Sequence, residues 1–447
     1  MAIKNKIDFV CDQVINQKVF EGKYKEIIHS INEKIKTNEI SSQKNLGFLH
    51  VKKNIQKSDY SKLQNILKFF NEEKIEVLVV IAPEYICLQS ESIINLVDTH
   101  LKEDSDIDIL FINESYSGID VANLIKYLEN KRFALNVISK NGDDFESLII
   151  FRELISLLTN RVGRNNATKY IYVTTNNNYG RLFNWAQAKN YQHLVLLDNT
   201  NERFLNYSAA VLLPLACARI NIDSYLEGAN EANLFYENCP LGNNSAYKYA
   251  LVRYIFSKLD RNTKQKDIFV NENICVFSQT HQKIGNLLAM YLNETSYRSY
   301  RGIKVNSFLQ PSDTKTYTNI FFQKHQQMFD THLIVKNPSF DFNVSIMDDS
   351  DLNDLNYLMK YSYNKLNKVM NKVIKNCHLI NQIPFVEIII DDLNHKTLGW
   401  IISFIHHAAI MSAYLMDLDP FEDNGLRAYN IELTKKFTEL MGENKNE

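Results

Sequence analysis

Five short apolar runs in the first half of the chain constrain its fold most strongly: EVLVVIAP at 76–83, DIDILFIN at 106–113, FALNVIS at 133–139, KYIYVTT at 169–175 and HLVLLDN at 193–199. Their continuous apolar character predicts strands of a parallel sheet buried on both faces. Stretches with helical spacing, such as VANLIKYLEN and FESLIIFRELISLLT, lie between them. Alternating strand and helix implies right-handed βαβ crossovers and a doubly wound sheet.

A helix-rich middle follows from 206 to about 261, and strands resume with NICVFSQ at 273–279, THLIVKN at 331–337 and FVEIIIDD at 385–392. The expected class is therefore α/β, with two doubly wound, mainly parallel sheets and additional helices. The expected division is a mostly helical segment packed on the core (1–57), a first α/β domain (58–205), a helical connection (206–265), and a second α/β domain with C-terminal helices (266–447). The final ENKNE is expected to be disordered.

The 447 residues suffice for two domains sharing a large interior. The net charge is −2 with signs interspersed, so the basic footprint of a nucleic-acid binder is absent. Cysteines stand at 11, 87, 217, 239, 275 and 377, none at C-x-x-C spacing. With no secretory signal at the N-terminus, reduced thiols in a cytoplasm are expected, and neither a metal site nor a cofactor is indicated. The membrane-like run LGWIISFIHHAAIMSAYLMDL begins at Leu398. Two histidines at its middle and the lack of a basic flank predict a buried core helix, not a membrane span. His406 and His407 are adjacent, pointing about 100° apart on a helix, and cannot chelate one ion well.

In open α/β sheets, ligands sit beyond the carboxyl ends of the strands. After 76–83 comes APEYICLQSES, which has no glycine, and Pro83 lacks an N–H; a plain connection is expected. After 133–139, Ser139, Lys140 and Gly142 suit an anion at a helix N-terminus. Asp143 and Asp144 do not, and the expectation is that these carboxylates cap the helix and occupy the cradle themselves. After 193–199, Arg203 is either a clamp for a phosphate or carbonyl, or a surface ion-pair partner. After 273–279 a helix runs to YLNETSYRSYRGIK. There Glu294, near Arg298 and Arg301, is either a general base beside cations that stabilise an enediolate, or half of a surface pair with Arg298.

Taken together, these segments resemble the glucose-6-phosphate isomerase family. FALNVISKNGDDFESLIIFREL is similar to the strand–loop–helix in which that family's ISKSGTTTE binds the sugar phosphate. LDNTNERFLNYSAAVLLPLACARINIDSYLEGA resembles its GGRYS…LLPIA…GIDI…LLEGA segment. DLNDLNYLMKYSYNKLNKV and TLGWIISFIHHAAIMSAYLMDLDPFEDNGLRAYN resemble the C-terminal region that ends in NPFDQPGVEAYK. The resemblance implies two sugar-isomerase (SIS) domains and a homodimer with active sites between subunits. It implies proton transfer between C1 and C2 through a cis-enediol, with Glu294 at the base position and Arg203 at the enediolate-stabilising position. Ser139, Lys140, Gly142 and Glu146 match the substrate-binding loop.

The departures lie in the same loops. The family's GIGGSYLG is replaced by APEYICLQ at 82–89, with Ile86 at the serine position. The phosphate-binding threonines become Asp143, Asp144 and Phe145, and the glycines before Arg203 become Asn201 and Glu202. Lys315 stands for the ring-opening histidine, Asp423 for a glutamine and Asn430 for the catalytic lysine. The leading expectation is a catalytically degenerate isomerase relative that binds sugar phosphate weakly or not at all, retained as a structural or scaffold subunit of a cytoplasmic assembly with other proteins. The alternatives are an active glucose-6-phosphate isomerase of glycolysis with Glu294, Arg203 and Lys315 at work, and a binding module for an uncharged or cationic ligand.

Overall fold

Strand Val77–Ile81 (β2, counting Ile7–Val10 as β1) divides its side chains between two cores. Leu78 and Val80 join the large central core, whereas Val77, Val79 and Ile81 join a second one with Ile150, Phe151, Leu154 and Leu158 of the helix Phe145–Val162. Alternate residues face opposite sides of a sheet, so helices cover both faces and no polar position is tolerated in this strand. The computed structural model describes residues 3–37, 39–40, 45–51, 57–97, 106–115, 117–257, 269–298, 301–323, 327–345 and 354–443.

β2 belongs to a five-stranded sheet with Asp108–Ile112 (β3), Phe133–Ile138 (β4), Ile171–Thr175 (β5) and Gln192–Val195 (β6), in the order β3-β2-β4-β5-β6 and parallel throughout. The winding reverses between β2 and β4, which opens a crevice at their carboxyl ends. The second sheet contains Asn271–Val276 (β7), Lys304–Leu309 (β8), Met328–Asn337 (β9) and Phe385–Asp392 (β10), in the order β1-β10-β9-β7-β8. All of its pairings are parallel except that of β1 with β10. The molecule is thus α/β with two doubly wound sheets of the SIS type, as expected.

Two edge strands escape the sequence reading. β1 lies inside the segment expected to be mostly helical, and β8 reads KVNSFL. IDFV and KVNSFL are interrupted by polar residues, so neither gives the apolar run that marks β3 and β6, the edge strands of the first sheet. The helix Lys23–Lys36 accounts for the helical character of that segment. Of ENKNE, residues 444–447 lie outside the described residues, as does 258–265 of the expected helical connection.

The helices Ile222–Asn238 and Ser245–Ser257 pack around His395–Leu415, and Ala209–Cys217 packs on Lys57–Glu72, Glu84–Val97 and the first sheet. His395–Leu415, the one described helix long and apolar enough to cross a membrane, is buried along almost its whole length. Its contact with Ile222–Asn238 is so close that a Cβ on Gly228 would lie 1.9 Å from the carbonyl oxygen of Lys396. His406 and His407 are core residues with separate partners. His406 Nε2 lies 3.0 Å from Asn206 Oδ1, and His407 Nε2 lies 3.2 Å from Asn233 Oδ1.

Candidate functional site

The crevice at the carboxyl ends of β2 and β4 is built from four connections. The first is not a loop. Ala82 and Pro83 lead straight into the helix Glu84–Val97, which holds Ile86, Cys87 and Gln89 buried. Its first N–H donates to Glu114: Glu84 N to Glu114 Oε2 is 3.0 Å. A helix N-terminus carries free N–H groups and partial positive charge, which suit a bound anion. Here an intrinsic carboxylate takes that place.

Glu114 follows β3 and was not singled out by sequence. Its signal was position alone, just past a strand's carboxyl end. Burial raises its pKa, and Glu146 and Asp144 add to the shift.

The second connection is the 139–144 turn. Gly142 has φ +75, and its close neighbour is Gly180, where a Cβ would meet the Asn141 carbonyl oxygen at 2.5 Å. Two of the turn's donors are satisfied from within. Gly142 N donates to Ser139 Oγ at 2.9 Å, and Asp143 N donates to Asn141 Oδ1 at 2.8 Å. Ser139 and Asn141 accept these two bonds, and Asn141 Nδ2 in turn approaches Asp144 Oδ1 at 3.4 Å, so Asp144 lies against the turn through Asn141.

Asp143 instead caps the adjacent helix Arg181–Lys189, with Arg181 N donating to its Oδ1 at 3.1 Å. Asp144 occupies the N-cap position of Phe145–Val162 but makes no capping bond, and its Oδ2 is buried with no hydrogen-bond partner among the described residues. Burial raises its pKa. Glu146 accepts from Tyr429 Oη at 3.1 Å, which ties the turn to the C-terminal helix Asn424–Glu443.

The third connection follows β6. Lys140 does not project its ammonium into open space; Nζ donates to the carbonyl oxygens of Leu197, at 2.7 Å, and Thr200. Burial lowers its pKa. Gln89 holds the turn that carries Arg203: its Nε2 donates to the Glu202 carbonyl at 3.0 Å, and its Oε1 accepts from Leu205 N at 2.7 Å. Glu202 has a raised pKa from burial, with the Asp144 carboxylate adding to it.

Arg203 Nη2 lies 3.1 Å from Glu294 Oε2, near the end of the fourth element, the helix Gln282–Ser296. Arg203 also sits over the Tyr85 ring at 5.2 Å. Arg298 donates to the Asp419 carbonyl at 2.6 Å, pairs with Glu422 at 3.4 Å and also donates to the backbone carbonyl oxygen of Glu294. The Glu294 carboxylate itself pairs with Arg203.

A cavity of about 600 Å³ opens beside these elements, lined in part by Lys140, Asn141, Glu202, Asp423 and Asn430. Ser139, Gly142, Glu146, Arg203, Glu294 and Lys315 are not among its lining residues. Lys315 stands exposed on the short helix Ser312–Thr316 after β8, and makes no hydrogen bond or ion pair with the other named residues. Chemically, the site offers one Arg–Glu pair and several carboxylates.

The chain is 33% identical to the glucose-6-phosphate isomerase of Mycoplasmopsis pulmonis over 419 residues, covering 93% of this chain and 96% of the relative. It is 28% identical to the enzyme of that name from Mycoplasma mobile, over 92% and 94% of the two chains. No protein-family model matches. Among solved structures, a hypothetical protein from Thermus thermophilus superposes with a TM-score of 0.84 at 15% identity, covering 96% of this chain and 99% of that one. A glucose-6-phosphate isomerase from Chlamydia trachomatis superposes with a TM-score of 0.75 at 12% identity, covering 98% and 89%. At these identities the structures share the fold.

Proposed function

The chain belongs to the glucose-6-phosphate isomerase family, and from that membership we propose that it is a catalytically degenerate member, kept as a structural subunit of a cytoplasmic assembly. One observation carries the reading. Two N–H groups of the turn, those of Gly142 and Asp143, already bond to Ser139 and Asn141, and the carboxylates of Glu114, Asp143 and Glu146 lie close enough to Asp144 or to one another to shift its titration or that of Glu114. A phosphate seated about 6 Å from one such carboxylate is repelled by roughly 3 kcal/mol at an effective dielectric of about 20. That is about a hundredfold in affinity for each pair of unit charges.

The chemistry beyond binding is also thinned. Lys315 and Asn430 stand where the family's acid–base groups would be, and each proton-transfer group contributes about 10² to 10⁴ in rate. The apolar framework, by contrast, is whole, with β2, β4 and β5 buried at every position. Two assays test the reading: titration of the purified protein with fructose 6-phosphate, and identification of proteins that co-purify with it from its own cell. Saturable binding in the micromolar range contradicts the loss of substrate binding, and absence of any partner contradicts the structural role.

A second reading, an active aldose–ketose isomerase with a divergent site, is favoured by the Arg203–Glu294 contact of 3.1 Å. It joins the two groups that the reaction needs for the enediolate and the base. It requires that Glu294→Gln abolish a turnover measured in the unaltered protein.

A further inference from the structure

Strand register gathers a second set of reactive side chains, away from the crevice. In the β7–β9 ladder Asn273 pairs with Asp330 and Cys275 with His332, so all four stand on one face of the second sheet. His378, from the helix Tyr363–Ile380, is buried against them. Cys275, Asp330, His332 and His378 are all at most 2% exposed. The ligand atoms of Cys275, Asp330 and His332 lie within 4.8 Å of one another, and His378 Nε2 is 3.3 Å from Asp330 Oδ2.

The surroundings are apolar, with Phe277, Phe321 and Ile374 in the same core cluster and Phe385 stacked on His332. Within this pocket neither ring nitrogen of His332 makes a hydrogen bond, and neither does Asp330 Oδ2. Buried polar atoms in folded proteins almost always have a partner, and these have none among the described protein atoms.

We propose that Cys275, Asp330, His332 and His378 bind one divalent transition-metal ion of the zinc class. Three observations fit such an ion. Two ligand atoms held about 2.0 Å from a tetrahedral ion stand about 3.3 Å apart, and His378 Nε2 and Asp330 Oδ2 are 3.3 Å apart. A thiolate and a carboxylate balance a double positive charge, leaving a neutral site in apolar surroundings. The ligands are also oriented from behind: Asn273 Nδ2 donates to Asp330 Oδ1 at 2.9 Å, and Gln310 Nε2 approaches Cys275 Sγ at 3.6 Å.

The ion would join β7, β9 and the helix Tyr363–Ile380. It shares no residue with the crevice and has no part in isomerisation.

The test is metal analysis of the full chain, expressed in medium supplemented with Zn²⁺ and separately with Co²⁺, and purified without chelator. The expected result is one ion per chain, with a thiolate-to-cobalt charge-transfer band in the Co²⁺ protein. Cys275→Ser removes the band, Asn273→Ala weakens metal retention about 10- to 100-fold, and Cys239→Ser changes neither. A wild-type chain that folds and carries no metal from either medium overturns the proposal, leaving a metal-free contact between Asp330 and His378. So does a charge-transfer band that persists in Cys275→Ser. If Cys275→Ser fails to fold, the wild-type and Asn273→Ala results decide alone.

Discussion

Arg203 and Glu294 meet at 3.1 Å across the boundary between the two sheets' connections, the arginine from the turn after β6 and the glutamate from the helix Gln282–Ser296. They are 91 positions apart in the chain (294 minus 203). The Glu294 side chain is 45% exposed, so water screens the pair and its worth to stability is small, at most about 1 kcal/mol. Glu294→Gln should therefore leave the urea midpoint nearly unchanged. A large loss of stability would mean that the pair is a structural bond and not a remnant of chemistry.

The crevice accommodates the charge of Asp144 poorly. Burial raises its folded pKa above the unfolded value, so the unfolded chain ionises first as pH rises. Ionisation then costs stability from about pH 4 upward. Asp144→Asn should stabilise the protein at neutral pH, and the gain should vanish below about pH 4. Chemical denaturation at several pH values measures this, and a variant less stable than the parent at pH 7 would refute it.

Removing Asp143 should act the other way. Its carboxylate caps Arg181–Lys189 through Arg181 N, and loss of such a cap costs about 0.5–2 kcal/mol. Asp143→Ala should lower the thermal midpoint and, by removing a neighbouring carboxylate, lessen the upward shift of Asp144.

Gly399 lies where His395–Leu415 crosses Ile222–Asn238, and an added Cβ would sit 2.1 Å from the Tyr225 carbonyl oxygen. Backbone cannot yield there without separating the two central helices. Gly399→Ala should cost about 1–3 kcal/mol or more, read as a lower denaturation midpoint. An unchanged midpoint would show that these helices are not packed this closely.

His407 should impose acid sensitivity. Burial holds it at about 3, against about 6.5 in an unfolded chain. Below pH 6.5 the unfolded chain takes up this proton and the folded one does not, so stability falls as pH drops, by about 1.4 kcal/mol per unit from this residue. In His407→Gln the fall between about pH 6 and pH 4 should be shallower by one proton's share. An identical slope would mean that His407 titrates normally in the fold.

The central strands were legible because β2, β4 and β5 are covered on both faces and announce themselves as unbroken apolar runs. β1 and β8 were not, since IDFV and KVNSFL are broken by polar residues, whereas the edge strands β3 and β6 lie in apolar runs. In the site, Ser139, Lys140 and Arg203 could be named from loop positions after strands. Their use could not, because Lys140 turns its ammonium to the carbonyls of Leu197 and Thr200, a choice fixed by tertiary contact. Glu114 and Gln89 act through partners 30 and 113 positions away, and no local pattern marks them. The Cys275–His332 neighbourhood is a product of strand register and leaves no spacing signal.

The central claim, that the isomerase architecture persists here without its reaction, is tested most directly by a coupled assay. It follows conversion of fructose 6-phosphate to glucose 6-phosphate by the purified chain, run beside Glu294→Gln. The account predicts the same background rate for both. A turnover of about 10² s⁻¹, within the usual enzyme range, that Glu294→Gln abolishes would contradict it.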